Sequence, residues 1–62
     1  MTLPKDPFIL YSFVNTQLRD FYPDIEQFCD AANIPVSELK DKLAAVGFEY
    51  VEEINQFNRV GG

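Results

Sequence analysis

The fold follows from residues 24–47, DIEQFCDAANIPVSELKDKLAAVG, which carry the pattern of two short helices and the turn that joins them. Asp24 is a favourable N-cap, and Gln27 follows three residues later, which is the spacing of a capping box. Apolar residues then recur at helical spacing up to Asn33, a residue type that tolerates the left-handed backbone at which many helices end. The pattern predicts a helix over residues 24–33.

The second half of this stretch predicts another helix, over residues 36–46. The Ile34-Pro35 step turns the chain, and Gly47 is the type of residue that ends a helix. A small residue, Cys29, stands where this helix would cross the preceding one, so the spacing is that of a helix-turn-helix unit. The inner stripe of the helix comprises Val36, Leu39, Leu43 and Val46.

A longer helix precedes this unit. Asp6 followed by Pro7 is a favourable helix start, and Pro23 stops the segment, which predicts a helix over residues 6–22. At about 100° per residue, a narrow apolar arc of this helix should face the core: Leu10, Val14, Leu18 and Phe21. More apolar side chains flank that arc, which makes the apolar face unusually wide for a surface helix.

The C-terminal part predicts a β-hairpin over residues 48–60. Two short segments rich in aromatic and β-branched residues flank a turn with Asn55 in the left-handed region. An isolated hairpin is marginally stable, so its aromatic side chains should pack onto the helices: Phe48, Tyr50 and Phe57. The expected fold is one mainly α domain of three helices with a helix-turn-helix-like crossing and a C-terminal hairpin, a winged-helix-like arrangement.

Composition limits the range of functions. The 62 residues carry a formal net charge of −5, which argues against tight non-specific binding to nucleic acid or anionic membranes. Histidine is absent and Cys29 is the single cysteine, so no intramolecular disulfide can form and zinc lacks a ligand cluster. We expect a cytoplasmic, non-catalytic domain with no cofactor, metal or membrane partner, with residues 1–5 as a flexible lead and residues 61–62 as a frayed tail.

The width of the apolar face on the first helix is the main functional signal. Its extra residues exceed what a core of this size can cover, and exposed apolar patches commonly mark a partner surface. The predicted interface comprises Phe8, Ile9, Tyr11 and Phe13. Self-association into a homodimer is one way to cover them. The alternative is that the lead or the hairpin folds over them, and the pattern leaves both open.

The alternative function is a nucleic-acid-binding regulator that uses the third helix. Ser37 would lie nearest the bases, while Lys40 and Lys42 would contact phosphates. Glu38 and Asp41 on the same outer face cancel the charge of the two lysines, so nucleic acid is disfavoured as a partner.

Two smaller features have competing interpretations. Asn15 and Arg19 stand four residues apart on the first helix, so they share a face that would contact a partner or a small anion. The alternative is a solvated face on which Arg19 pairs with a nearby acid. Cys29 lies on the buried stripe of its helix, which predicts an inert core thiol and not a nucleophile.

Three stretches of the chain read Leu3-Pro4-Lys5-Asp6-Pro7, Val14-Asn15-Thr16-Gln17-Leu18-Arg19-Asp20 and Asn55-Gln56-Phe57. They resemble a family of short bacterial proteins of unknown function, and the similarity continues through the Leu-Ala-containing third helix and Gly47-Phe48-Glu49-Tyr50. The chain departs from the family pattern at Pro35, where an Asp cap is more usual, and at Asp24, which follows a Tyr-Pro step; neither change threatens the fold. Membership implies a bacterial, cytoplasmic, stand-alone small protein and supplies no functional residues.

Overall fold

The computed structural model describes residues 2–60, which form three helices followed by a hairpin. The helices are α1, Pro7–Asp20, α2, Ile25–Ala32, and α3, Val36–Ala44. The strands β1, Phe48–Val51, and β2, Gln56–Arg59, pair antiparallel, and a short 3₁₀ helix, Glu52–Ile54, joins them. Within residues 2–60, the expected mainly α fold with a C-terminal hairpin is confirmed.

Polar caps begin the first two helices, as predicted. Asp6 Oδ1 accepts hydrogen bonds from the backbone N–H groups of Phe8 at 2.8 Å and Ile9 at 3.2 Å. Asp24 Oδ1 accepts one from the backbone N–H of Gln27 at 2.8 Å. The Gln27 side chain donates to Asp24 Oδ2 at 3.5 Å, so the return bond of the predicted capping box runs between side chains.

The third helix begins at Val36 as predicted, and the other helix ends differ by one or two residues from the predicted spans 6–22, 24–33 and 36–46. Asp6 and Asp24 have extended backbones and lie outside the helices that they cap, and Asn33 is the left-handed cap of α2 with a φ of 58°. Helix α3 ends at Ala44, and beyond Ala45 the N–H groups bond to carbonyls three residues back, that of Val46 to Leu43 at 3.2 Å and that of Gly47 to Ala44 at 3.0 Å.

The prediction that Phe21 belongs to the buried stripe of α1 is wrong. The helix ends at Asp20, and Phe21 adopts a φ of −127°, which breaks the helical phase. Tyr22 takes the inward position instead, with its ring centroid 5.6 Å from that of Phe28. The end of α1 therefore presents an aromatic ring to solvent, since Phe21 is 69% exposed.

The core lies between the helices and the hairpin, with β2 packed on α1 and β1 packed on α3. As predicted, the hairpin aromatics pack inward: Phe48 and Phe57 are buried, and Tyr50 is half-buried against the core. Complete burial of Phe57 stabilises the fold by about 1.5–3 kcal/mol relative to exposure. The buried side chains are Leu10, Val14, Leu18, Ile25, Phe28, Cys29, Ala32, Leu39, Leu43, Phe48 and Phe57.

The chain before α1 has no helix or strand where the structure describes it, yet it contacts the domain. Leu3, within the lead predicted at residues 1–5, is half-buried against the core. The tail predicted at residues 61–62 lies outside the described residues. Within residues 2–60, no helix combines the length and the apolar character needed to cross a bilayer.

Candidate functional site

The first turn of α1 exposes two large apolar side chains, Phe8 and Ile9. Phe8 is 55% exposed and Ile9 is 60% exposed, whereas the next residue, Leu10, begins the buried arc. The rings of Phe8 and Phe48 meet edge to face, with their centroids 6.0 Å apart, so Phe8 contacts the hairpin. Phe8 and Ile9 are the accessible part of the predicted interface.

Tyr11 and Phe13, the other two residues of the predicted interface, pack within the domain. Tyr11 stacks on Phe48 with the ring centroids 3.9 Å apart, and Phe13 meets Phe28 edge to face at 6.4 Å. Both side chains are half-buried against the core. The hairpin therefore covers Tyr11, which is the alternative that the pattern left open, and it leaves most of Phe8 and Ile9 in solvent.

A groove of about 350 Å³ lies beside the first turn of α1, between the preceding chain and the end of α3. Apolar and cationic side chains line it: Pro4, Lys5, Pro7, Leu10, Lys42 and Ala45. Lys5 and Lys42 thus lie at the end of the domain that exposes Phe8 and Ile9, in a chain whose net charge is −5.

Asn15 serves the fold and does not form a surface patch with Arg19. Asn15 Nδ2 donates to the Phe57 carbonyl at 3.0 Å, and Asn15 Oδ1 accepts from the Phe57 N–H at 2.7 Å. The carboxamide pairs with both backbone groups of one residue, as a neighbouring strand would. Arg19 pairs instead with Asp20 at 2.9 Å on the exposed surface, and their hydrogen bond lowers the pKa of Asp20.

Asn55 ties the hairpin turn to the C-terminal end of α1, a role that the sequence analysis missed. Its backbone is left-handed, as predicted, with a φ of 51°. Its Nδ2 donates to the carbonyl oxygens of Leu18 at 3.1 Å and Tyr22 at 3.0 Å. Its Oδ1 accepts from the Tyr50 hydroxyl at 2.6 Å. The side chain therefore satisfies carbonyl groups that a helix end leaves without a partner.

Asn15, Asn55 and Gln56 together form an amide cluster between α1 and the hairpin. Gln56 Nε2 donates to the backbone oxygen of Asn15 at 3.0 Å. Two of the stretches that carry the family resemblance, residues 14–20 and 55–57, meet in this cluster. One sequence signal could have indicated this cluster: the polar Asn55-Gln56 step stands between two apolar strand segments. Amides that become half-buried there need hydrogen-bond partners on another element.

The residues of the alternative nucleic-acid surface lie on α3, where both lysines have neighbours within the chain. Lys42 Nζ is 3.7 Å from Glu38 Oε2, and Lys40 Nζ lies 5.8 Å from the centre of the Tyr50 ring. Ser37 is exposed at the start of the helix. The nucleic-acid prediction stays untested, and a carboxylate beside Lys42 does not favour it.

Cys29 lies in the core, where it is 2% exposed. Burial raises the pKa of its thiol, and the positive charge of Lys40 offsets part of that rise. A raised pKa leaves less of the reactive thiolate at neutral pH. These observations are those of a core thiol, in agreement with the sequence-based interpretation.

We expect Cys29 to react slowly with Ellman's reagent in the native protein. At pH 8, labelling should be at least about 100-fold slower than in protein unfolded by guanidinium, because the reagent must wait for α2 to open. Release of thionitrobenzoate measures both rates, and the unfolded protein is the control for intrinsic reactivity. Equal rates would show that Cys29 is accessible in the folded state.

The described residues contain no candidate metal site. Among residues 2–60, no three carboxylate or thiol side chains lie together in a way that would hold a metal ion. The described residues instead form exposed apolar surface bordered by charged side chains. Such surfaces bind other molecules by burying apolar area.

The comparisons with known proteins give one family match. No curated protein and no solved structure is significantly similar to the chain. The matching family is described as Domain of unknown function (DUF4250), and its model covers residues 4–57, which include all three helices and the amide cluster. The expected membership in a family of unknown function is confirmed, and the match assigns no activity or site residue. The chain belongs to the DUF4250 family.

Proposed function

We propose that this domain is a non-catalytic interaction module that self-associates through Phe8 and Ile9. The exposure of these two adjacent side chains, 55% and 60%, is the observation that carries the proposal. Burial of apolar surface contributes about 25 cal/mol per Å². A domain of this length buries only about 60% of its unfolded-chain surface on folding, a smaller share than larger domains bury, so association adds burial that the monomer lacks.

The shape of this end supports a second copy as the partner. Phe8 and Ile9 extend from the first turn of α1, and the groove lined by Pro7, Leu10 and Ala45 lies at the same end of the domain. A two-fold dimer brings one face against its own copy. A two-fold contact at this end would therefore place Phe8 and Ile9 of one copy against the same surface of the other copy.

The local charge supports the same partner. Two copies with a net charge of −5 repel each other, and this repulsion is weakest where cations offset the carboxylates. Lys5 and Lys42 line the groove, beside Asp6 and Glu38 respectively. Self-association at this end therefore meets less repulsion than at a purely acidic face.

Sedimentation velocity of Ile9→Ser tests the proposal. We expect wild-type protein to dimerise between about 10 µM and about 1 mM, and Ile9→Ser to weaken the dimer at least about tenfold, or about 1.4 kcal/mol. Ile9 is the better probe because Tyr11, which stacks on Phe48, contributes to the fold itself.

Ile54→Ser is the matched control, since Ile54 is 54% exposed but lies in the hairpin turn at the other end of α1. Its dimer should have the affinity of the wild type. A wild type that stays monomeric over the whole concentration range would contradict the proposal. So would an Ile9→Ser variant that dimerises as well as Ile54→Ser.

A further inference from the structure

The C-terminal end of α1 carries a second exposed apolar surface, formed by Phe21 and Ile54 and called here the Phe21–Ile54 surface. Phe21 is 69% exposed and Ile54 is 54% exposed. Asn55 Nδ2 donates a hydrogen bond of 3.0 Å to the Tyr22 carbonyl. Ile54 precedes Asn55 and Phe21 precedes Tyr22, so this bond holds both apolar residues at the same end of the domain. The first turn of α1 lies about 20 Å away along the helix.

Carboxylates from three elements border this surface. Asp20 ends α1, Asp24 caps α2, and Glu26 lies in the first turn of α2. Glu52 and Glu53 form the turn that leads to Ile54. The carboxylates therefore come from segments far apart in the sequence, and the fold gathers them at one end.

The Tyr50 hydroxyl lies near several of these carboxylates. It donates to Asn55 Oδ1, next to Ile54, at 2.6 Å. Burial raises the pKa of Tyr50, a hydrogen bond with the Ile25 backbone offsets part of that rise, and the charges of Asp24, Glu52 and Glu26 add to it. Carboxylates of α2 and of the hairpin turn thus act on one point beside the Phe21–Ile54 surface.

Two cations lie near this end, and they do not neutralise it. Arg19 is paired with Asp20, and Lys40 lies 5.8 Å from the centre of the Tyr50 ring. The five carboxylates named above exceed these two cations, so the border keeps an excess of negative charge. The border repels acidic partners, including a second copy with its net charge of −5.

We propose that the Phe21–Ile54 surface binds a basic peptide segment of a partner protein, in which lysine or arginine residues flank an apolar anchor. The exposed aromatic and aliphatic side chains would bury the anchor, while the carboxylates would attract the flanking cations. An apolar centre with a charged rim is the common anatomy of protein interfaces. The rim charges set specificity and the rate of association. This site is separate from the Phe8–Ile9 surface and does not depend on self-association.

Fluorescence anisotropy of a labelled peptide tests this inference. The probe is a lysine–leucine peptide with its leucines at helical spacing, and the control peptide has glutamate in place of lysine. We expect the basic peptide to bind and the glutamate peptide not to bind. Phe21→Ser should weaken binding of the basic peptide at least about tenfold. Phe8→Ser is the matched control, because Phe8 is an exposed phenylalanine at the opposite end of α1, and it should change affinity less than about twofold.

Two double variants distinguish the effect of the border carboxylates on peptide binding from the effect of the net charge of the protein. Glu52→Gln with Glu53→Gln should weaken binding about fivefold or more, because rim charges act over short distances. Asp30→Asn with Asp41→Asn changes the net charge by the same amount at exposed sites elsewhere and should have less than about a twofold effect. Equal losses in the two double variants would show that the peptide responds to net charge alone, which overturns the proposal.

The remaining outcomes are also decisive. Circular dichroism checks that each variant is folded, and Ile54→Ser replaces Phe21→Ser if the latter unfolds. If the folded Phe21→Ser variant, or Ile54→Ser in its place, binds the basic peptide as tightly as the wild type does, the proposal is overturned. Binding of the glutamate–leucine peptide to the wild type also overturns it. Self-association that is lost in Ile54→Ser but kept in Ile9→Ser would assign this surface to a second copy. That result overturns the inference and the proposed dimer together, whereas loss of peptide binding alone leaves the dimer intact.

Discussion

Replacement of Asn15 by leucine should destabilise the domain by about 3 kcal/mol. The half-buried carboxamide bonds to the carbonyl and the N–H of Phe57 at 3.0 Å and 2.7 Å. Leucine has a similar size but no donor or acceptor, so both backbone groups lose their partner beside a completely buried side chain. Each buried group without a partner costs about 1–3 kcal/mol.

The loss should appear as a decrease in Tm of roughly 12–24 °C for a domain of this size. Thermal and urea unfolding followed by far-UV circular dichroism measure it. Thr16→Ala is the neighbouring control: Thr16 is exposed and its hydroxyl donates to Ser12 within the helix, so its effect should stay within about 0.5 kcal/mol. A similarly small effect of Asn15→Leu would show that water takes over the role of the amide.

The helices and the hairpin were predictable because their signals are local. Asp6 and Asp24 accept hydrogen bonds from backbone N–H groups only two or three residues later in the chain. The apolar periodicity likewise extends over neighbouring turns of one helix. Asn33 and Asn55 have the left-handed backbones expected of their residue type. Patterns of this kind need no information from distant parts of the chain.

The amide cluster was not predictable in the same way, because its partners are far apart in the sequence. Asn15 and Phe57 are separated by 42 positions, and no periodicity links them. The error at Phe21 has a related cause: α1 ends two residues earlier than predicted, and this exchanges the inward positions of Phe21 and Tyr22. The width of the apolar face on α1 was readable, but only the path of the hairpin decides that Tyr11 is covered and Ile9 is not.

Substitution of glycine at the two left-handed asparagines should have very different effects. Asn55→Gly should cost about 3 kcal/mol of unfolding free energy. Asn33→Gly should change it by less than about 0.5 kcal/mol. Both residues have a positive φ, 51° at Asn55 and 58° at Asn33, so glycine suits both backbones equally well. The difference between the two variants therefore isolates the contribution of the side chains.

Those side chains differ in what they bind. Asn33 is exposed at the end of α2, whereas Asn55 bonds to the carbonyls of Leu18 and Tyr22 and to the Tyr50 hydroxyl. Each bond contributes about 1 kcal/mol, and urea unfolding of the two variants measures the sum. Asn55→Ala should lose roughly 1 kcal/mol more than Asn55→Gly, because a β-carbon strains the left-handed backbone. Equal effects of glycine at the two positions would contradict this role, since the bonds that join the hairpin turn to the end of α1 would then contribute nothing measurable.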